Sequence, residues 1–424
     1  MSAPMEPRDT SDSNGAGGTK AGAAAPVKAT GSGTLIGAIF LMATSAIGPG
    51  FITQTTNFTI RMGAAFACAI LISILVDIAV QMNVWRVIGV SGKRANTLGN
   101  EVLPGLGWVL GALVAVGGLI FNIGNIAGGG LGLNAMLGLD ARIGALVTAA
   151  VGIGIFLWKA AGRVMDAVVV FLGFLMMLLM LYVSIQAQPP VGEALRQTVL
   201  PDQFDFFVVT TLIGGTVGGY ITYSGAHRMI DTGVVGRANV QVITRSSIIG
   251  IMATGVMRAL LFLAILGVVA AGIDLSASTT QAADAFQYAA GTVGVRLFGI
   301  ILFGAALTSV IGAAFTSVSF ITRQGASQNL RNGVTVGFIL FSAAVFWMLG
   351  QAPQTILIVV GTVNGLILPI GFTLILWVAW RRQDLLDGYV YPKWLLVIGV
   401  LSWLLTIYLG VNAIGGLSAL WQAG

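Results

Sequence analysis

The sequence predicts an all-α integral membrane protein of eleven transmembrane helices: two inverted repeats of five, then an eleventh helix outside them. Three observations carry this expectation. The 424-residue chain is 56% hydrophobic and only 8% charged, with a mean hydropathy of +0.93, whereas a soluble domain is about 25% charged. Its basic residues gather in alternate loops. Two of its apolar segments are interrupted by glycine, at Gly48-Pro49-Gly50 and at Gly218-Gly219.

Residues 1–30 have no aromatic and almost no bulky apolar side chain, so they are expected to form a disordered cytoplasmic tail. They do not read as a signal peptide, because the apolar run that follows comes late and is long. A membrane domain is expected over 31–424. A helix needs about 20 apolar residues to cross a bilayer. On that measure spans fall near 33–60, 63–88, 107–136, 140–158, 163–186, 206–232, 241–271, 293–322, 334–349, 354–380 and 394–418.

The loops order these spans across the membrane. With the N-terminus inside, the cytoplasmic loops carry Arg86, Lys93 and Arg94 after the second span. Lys159 and Arg163 follow the fourth, and Arg228, Arg237 and Arg245 the sixth. Arg323 and Arg331 follow the eighth, and Arg381, Arg382 and Lys393 the tenth. Outer segments hold few basic residues (Arg61, Arg142, Arg196, Arg296) and several acidic ones (Glu193, Asp202, Asp205, Asp274, Asp284). This is the positive-inside pattern, and it accounts for a net charge of +6 without nucleic acid. The single cysteine, Cys68, excludes an intramolecular disulfide.

Both interrupted segments open a set of five spans, 33–186 and 206–380, with the extra helix at 394–418. An odd number of helices per repeat inverts the second repeat relative to the first. Backbone unwound at mid-membrane survives only where it lines a cavity or is buried in protein. Paired broken helices in the two halves are the sequence sign of a transport site at the midplane. A half-helix that starts at a break presents backbone N–H groups and a positive dipole end, which suits a carboxylate. Gly48, Pro49, Gly50, Gly218 and Gly219 would let a ligand approach the backbone closely. Thr53, Gln54, Tyr220, Thr222 and Tyr223 offer uncharged hydrogen-bonding groups, with Phe51 as an apolar wall. Such a lining fits a small organic molecule; the same polar groups could instead only repair broken backbone bonds.

Ionisable residues inside spans are functional candidates. Asp77 and Arg258 fall mid-way along the second and seventh spans, which correspond in the two repeats. They are expected to pair, either as a static structural pair or as a gating and coupling element. The lone histidine, His227, is a candidate proton relay. Its neighbour Arg228 reads either as a cytoplasmic anchor or as part of that relay. Asn364, in Gly361-Thr362-Val363-Asn364-Gly365, could face the permeation path or mediate helix packing.

The residues around the breaks resemble the Nramp family of metal transporters, which have the LeuT-type fold plus an eleventh helix. SAIGPGF stands against that family's Asp-Pro-Gly-Asn motif, TVGGYI against Met-Pro-His-Asn, and NIGNIAGGGLGLN against Asp-Leu-Ala-Glu-Val-Ile-Gly. VQMNVWRVIGVSGK, at the end of the second span, is a further likeness. The match implies the fold but not the family's chemistry. Its metal-binding aspartate, asparagine and methionine fall on Gly48, Phe51 and Gly218, and its histidine near Tyr220. Its two proton-path carboxylates fall on Asn122 and Asn125, which cannot titrate. The stretch from Gly218 to Arg228 fits GGYIT-x-x-G-x-HR and resembles a divergent branch of Nramp-like permeases associated with 5-oxoproline metabolism. The same architecture implies that Thr308 and Ser309 of the eighth span either help to hold a sodium ion or serve as packing glue.

The expected function is therefore secondary active transport of a small organic carboxylate, 5-oxoproline-like or amino-acid-like, by symport with a proton or sodium ion. The alternative is a divalent-cation transporter with a rebuilt site. No resident cofactor or bound metal is expected. The expected partners are the lipid bilayer and a small-molecule substrate, with the protein acting as a monomer in a bacterial inner membrane. No enzymatic activity is expected, since the chain has no nucleotide-binding loop and a single histidine.

Overall fold

The computed structural model describes residues 47–158, 161–231, 233–322, 326–350 and 352–423. The expected tail and the first half of the 33–60 span lie outside the described residues, as do Lys159 and Arg323. Among the described residues the chain is helical, with no strand. The helices are α1 (Pro49–Met62), α2 (Phe66–Ser91), α3 (Ala95–Val102), α4 (Leu106–Leu137), α5 (Ala141–Leu157), α6 (Ala161–Ala187), α7 (Val191–Val199), α8 (Phe206–Thr216), α9 (Ile221–Asp231), α10 (Val240–Ala270), α11 (Gln281–Ile321), α12 (Gln328–Leu349), α13 (Pro353–Arg381) and α14 (Lys393–Ala423).

Local chemistry sets many of these ends. Asp140 caps α5 by accepting from the N–H groups of Arg142 (3.0 Å) and Ile143 (3.2 Å). Asp205 caps α8 by accepting from Phe207 N–H (2.9 Å) and Val208 N–H (3.4 Å). Each cap satisfies donors that a helix start leaves orphaned. Gly138 ends α4 in a left-handed conformation (φ 70°, ψ 14°), open to glycine without penalty. Pro369 stands inside α13. Its carbonyl is used from outside the ladder, accepting from Thr373 Oγ1 (2.8 Å) and from Trp403 Nε1 of α14 (3.2 Å).

Eight helical segments among the described residues are long and apolar enough to cross a membrane, or nine if α6 and α7, which meet at 109°, form one span. The finer count of eleven turns on two places. Pro49–Ser91 runs for 43 residues as one apolar segment, interrupted at Gly63 (φ 55°, ψ −136°). Ala141–Leu157 is apolar but only 17 residues long. The expected 293–322 span is the second part of α11, set off from an outer segment by a kink at Gly291 (φ 63°, ψ −165°). Large apolar side chains such as Phe171, Phe174, Trp347, Met348 and Trp377 face outward, where a hydrocarbon solvent would meet them. Polar and charged side chains, including Asp77, Asn122, Asn125, Arg258 and Asn364, are buried inside.

Glycines let α4 pack at close range. A Cβ on Gly132 would lie 2.6 Å from the backbone N of Phe303, and one on Gly299 would lie 2.7 Å from Gly132 O. Backbone thus meets backbone where α4 crosses α11, as small residues permit in membrane helices. Gly128 of the same helix forms the notch that receives the Pro49 ring.

Candidate functional site

The second break stands where the glycine pair placed it. α8 ends at Thr216, residues 217–220 form a turn, and α9 starts at Ile221. Gly219 has φ 54°, in the region that side chains rarely adopt. The first break differs from the expected unwound stretch 48–51. Gly48 is extended (φ −92°, ψ −176°), but Pro49, Gly50 and Phe51 already form the first turn of α1. The reason is local: proline at N1 has its φ fixed for a helix and lacks only an N–H that would be unpaired anyway. Among the described residues no side chain caps α1, and Pro49 at its first position has no N–H to satisfy.

Side chains from four helices converge on these breaks. A Cβ at Gly48 would lie 3.1 Å from Ser309 Oγ and 3.5 Å from Asn125 Oδ1. The Tyr220 hydroxyl faces the Asn125 amide, and its ring meets Phe121 edge-on at 5.3 Å. Gln54 Nε2 donates to Leu357 O of α13 at 3.0 Å, while its Oε1 points at Gly215 of α8. Asn364 donates through Nδ2 to Val360 O (2.9 Å) and Gly117 O (3.3 Å). Its Oδ1 lies against the α-carbon of Gly219, where a Cβ would overlap it. Four buried polar atoms in this shell have no hydrogen-bond partner: Gln54 Oε1, Asn125 Nδ2, Ser309 Oγ and Asn364 Oδ1. Buried polar groups left unpaired are costly; Ser309 and Asn125 lie against Gly48, Asn364 Oδ1 against Gly219 and Gln54 Oε1 against Gly215, so these atoms are candidates for a polar ligand.

Other expected site residues sit elsewhere. Asn122 donates to Ser342 Oγ of α12 at 3.1 Å and so faces away from the breaks. Thr308 hydrogen-bonds back into its own helix, to Ala305 O at 2.9 Å, and only Ser309 of the expected sodium pair reaches the first break. The Tyr223 hydroxyl packs against Gly371 of α13. Thr222 receives Trp85 Nε1 on its carbonyl at 3.0 Å, an anchor for the start of α9. Thr53 joins Ile52, Thr56, Gln281 and Gln354 around a cavity of about 20 Å³, room for roughly one water. His227 accepts from Ala95 N–H through Nε2 at 3.3 Å and stacks on Phe320 at 4.8 Å, a contact remote from the breaks. Arg228 lies in α9, and its side chain is outside the described residues.

Phe51 is not an open wall. It is 2% exposed and carries the Arg258 guanidinium 4.5 Å above its ring, a cation–π contact of the kind strengthened by desolvation. The expected pairing of Asp77 with Arg258 is indirect. The Thr216 hydroxyl donates to Leu212 O at 2.9 Å and accepts from Arg258 Nη2 at 3.2 Å, with Asp77 beside it. Sequence reasoning passed over Thr216. The only sign was its place immediately before Val217-Gly218-Gly219, and threonine is common enough in membrane helices that this sign is weak.

Among the described residues no three His, Cys, Asp or Glu side chains come together. The side chains at the breaks are amides and hydroxyls with no carboxylate among them, whereas hard dications usually take carboxylates together with carbonyl oxygens.

Known proteins bear on this arrangement. The family model for natural resistance-associated macrophage protein-like sequences matches residues 39–415. YcsG, a membrane protein of Bacillus subtilis (strain 168), is 48% identical over 378 residues, covering 89% of this chain and 93% of YcsG. A crystal structure of a manganese transporter from Eremococcus coleocola superposes with a TM-score of 0.71 at 17% identity, over 93% of this chain and 89% of that one. MhsT in complex with L-phenylalanine superposes with a TM-score of 0.65 at 17% identity, over 89% and 98%. At these identities the structural likeness speaks for a shared LeuT-type fold alone. With the family model spanning most of its length, the chain belongs to the Nramp family of membrane transporters.

Proposed function

We propose that this protein is a secondary active transporter of a small organic carboxylate, 5-oxoproline-like or amino-acid-like. It works by alternating access between two inverted five-helix repeats, over 33–186 and 206–380, with an eleventh helix at 394–418. On this reading it sits in a bacterial inner membrane as a monomer, N-terminus in the cytoplasm. Pro49–Ser91 then makes two passes, since 43 residues of helix extend about 65 Å against a hydrocarbon core of about 30 Å.

The observation that carries the cargo is the donor set at the breaks. The start of α1, which has no side-chain cap, lies beside uncharged side-chain atoms of Gln54, Asn125, Ser309 and Asn364 that are unpaired among the described residues. In such a set the N–H donors, with Asn125 Nδ2 and the Ser309 hydroxyl, suit a carboxylate, while Gln54 Oε1 and Asn364 Oδ1 can only accept from N–H or O–H groups of the solute. The shared fold accommodates both cargo classes, a metal in the Eremococcus protein and L-phenylalanine in MhsT. Gly48, Phe51 and Gly218 supply no side-chain oxygen, nitrogen or sulfur to a dication, so no observation favours the metal reading.

The test is uptake of labelled 5-oxoproline and other small carboxylates into proteoliposomes, with and without imposed proton or sodium gradients. Gradient-driven accumulation of one carboxylate is the expected result. If none is accumulated under any gradient, while Mn²⁺ is, the proposal fails.

A further inference from the structure

Asp77 is the one carboxylate that the described residues withdraw almost wholly from solvent, at 1% exposure half-way along α2. Its Oδ1 is buried and accepts no hydrogen bond. Thr216, the last helical residue before the second break, stands between it and Arg258. Arg258 is itself 2% exposed, and its Nε donates to no acceptor. On its far side the guanidinium covers the ring of Phe51, in the first turn after the first break. A single line of contacts, Asp77 to Thr216 to Arg258 to Phe51, therefore touches both breaks.

Only one member of that line can change charge. A guanidinium stays protonated in proteins, and threonine and phenylalanine do not titrate. With Asp77 ionised the pair is neutral; with one proton added to Asp77 it carries a single positive charge. Other charged or titratable groups on elements packed against α2 are Arg61 on α1, which pairs with Asp205, Arg245 on α10, Tyr223, His227, Arg228 and Asp231 on α9, the Glu193–Arg196 pair on α7, Arg381 on α13, Asp384 in the turn after α13, and Lys393 and Tyr408 on α14. Of the charged groups, Arg258 is the one set beside Asp77, across Thr216. Further along α2 itself, Arg86 is engaged by Tyr389 and Thr244.

We propose that Asp77 is a proton-binding site, and that its protonation charges the cluster behind both breaks so that a proton and an anionic solute enter together. The proton adds to a carboxylate oxygen of Asp77, and no covalent bond breaks. The charge left on Arg258 then attracts a carboxylate to the adjoining N–H groups, and the incoming anion in turn favours the proton, as linkage requires. The cargo half of this inference rests on the organic-carboxylate reading above; the proton half does not.

The experiment separates the two. Infrared difference spectra of the substrate-free protein in lipid, recorded across a pH step, should show a carboxylic-acid carbonyl band. That band should be absent from Asp77→Asn and shifted in Thr216→Val. A wild type without the band, or a band that survives in Asp77→Asn, overturns the proton site. Should Asp77→Asn fail to insert, the neutral double variant Asp77→Asn/Arg258→Gln serves for the same comparison. Labelled 5-oxoproline uptake is then measured against external pH. A one-proton step predicts about tenfold per pH unit in wild type and a flat profile in Asp77→Asn. Equal pH dependence in both overturns the coupling role while sustaining carboxylate transport. A band that follows Asp77 with no carboxylate uptake in wild type sustains the proton site and overturns the cargo.

Discussion

Replacing Gly219 by alanine tests the close approach at the second break. Its backbone is left-handed, with φ 54°, and an L-residue held there costs about 1–2 kcal/mol. The added Cβ would overlap Oδ1 of Asn364, so the amide must move. Asn364 holds Val360 O and Gly117 O at 2.9 and 3.3 Å, and two neutral hydrogen bonds are worth about 0.5–1.5 kcal/mol each. The single substitution should therefore cost roughly 2–5 kcal/mol. In an Asn364→Ala background the overlap is gone and only the backbone term remains, about 1–2 kcal/mol. The cycle should thus show a coupling of about 1–3 kcal/mol, read from reversible denaturation in mixed micelles. If Gly219→Ala costs the same with and without the Asn364 amide, the contact between the 217–220 turn and α13 is not what constrains this turn. Gly219→Val, bulkier at the same point, should abolish carboxylate uptake while the protein still inserts.

Three further outcomes follow from the same geometry. Asp77→Asn leaves the Arg258 charge buried without its counter-charge and should lose about 3–5 kcal/mol of stability, whereas Asp77→Asn/Arg258→Gln should lose less than the sum of the two singles; strict additivity in thermal unfolding would falsify the coupling through Thr216. Tyr220→Phe removes the hydroxyl facing Asn125 and should weaken carboxylate binding by about 0.5–1.5 kcal/mol, measured by calorimetry; an unchanged affinity removes Tyr220 from the site. Titration with Mn²⁺ should show no micromolar binding, because the breaks offer no carboxylate ligand; a micromolar, saturable isotherm lost in a Gly48 or Gly218 variant would restore the metal reading.

The sequence made the membrane class, the all-helical architecture and the turn at Gly218-Gly219 legible, because apolar length and a Gly-Gly pair are local signals, while eight or nine of the eleven expected spans are long and apolar enough among the described residues. At the first glycine motif Gly48 is extended, but Pro49 begins a helix where unwinding was expected over 48–51, since proline suits N1 as well as it suits a kink; the segment before Ile47 lies outside the described residues. Facing directions were not legible. Asn122 and Asn125 are three residues apart, yet one meets Ser342 of α12 and the other the first break. Periodicity on a helix that is apolar all round says nothing about which neighbour stands on which side. The Asp77 and Arg258 charges stood out, while the Thr216 link between them did not, because it exists only once α2, α8 and α10 are packed together.

The seat of Pro49 on Gly128 has a mechanical consequence. A proline ring lying in a notch with no opposing side chain has nothing to interlock with, so rotation of α1 over α4 at that point meets no ratchet of ridges and grooves. If α1 rocks against α4 as the alternating-access proposal requires, this close seat would be its pivot. A spin-label pair placed near this point should then keep its separation while pairs toward the far end of α1 change theirs. A branched side chain at 128 would turn the pivot into a lock and hold the protein in whichever state it was folded.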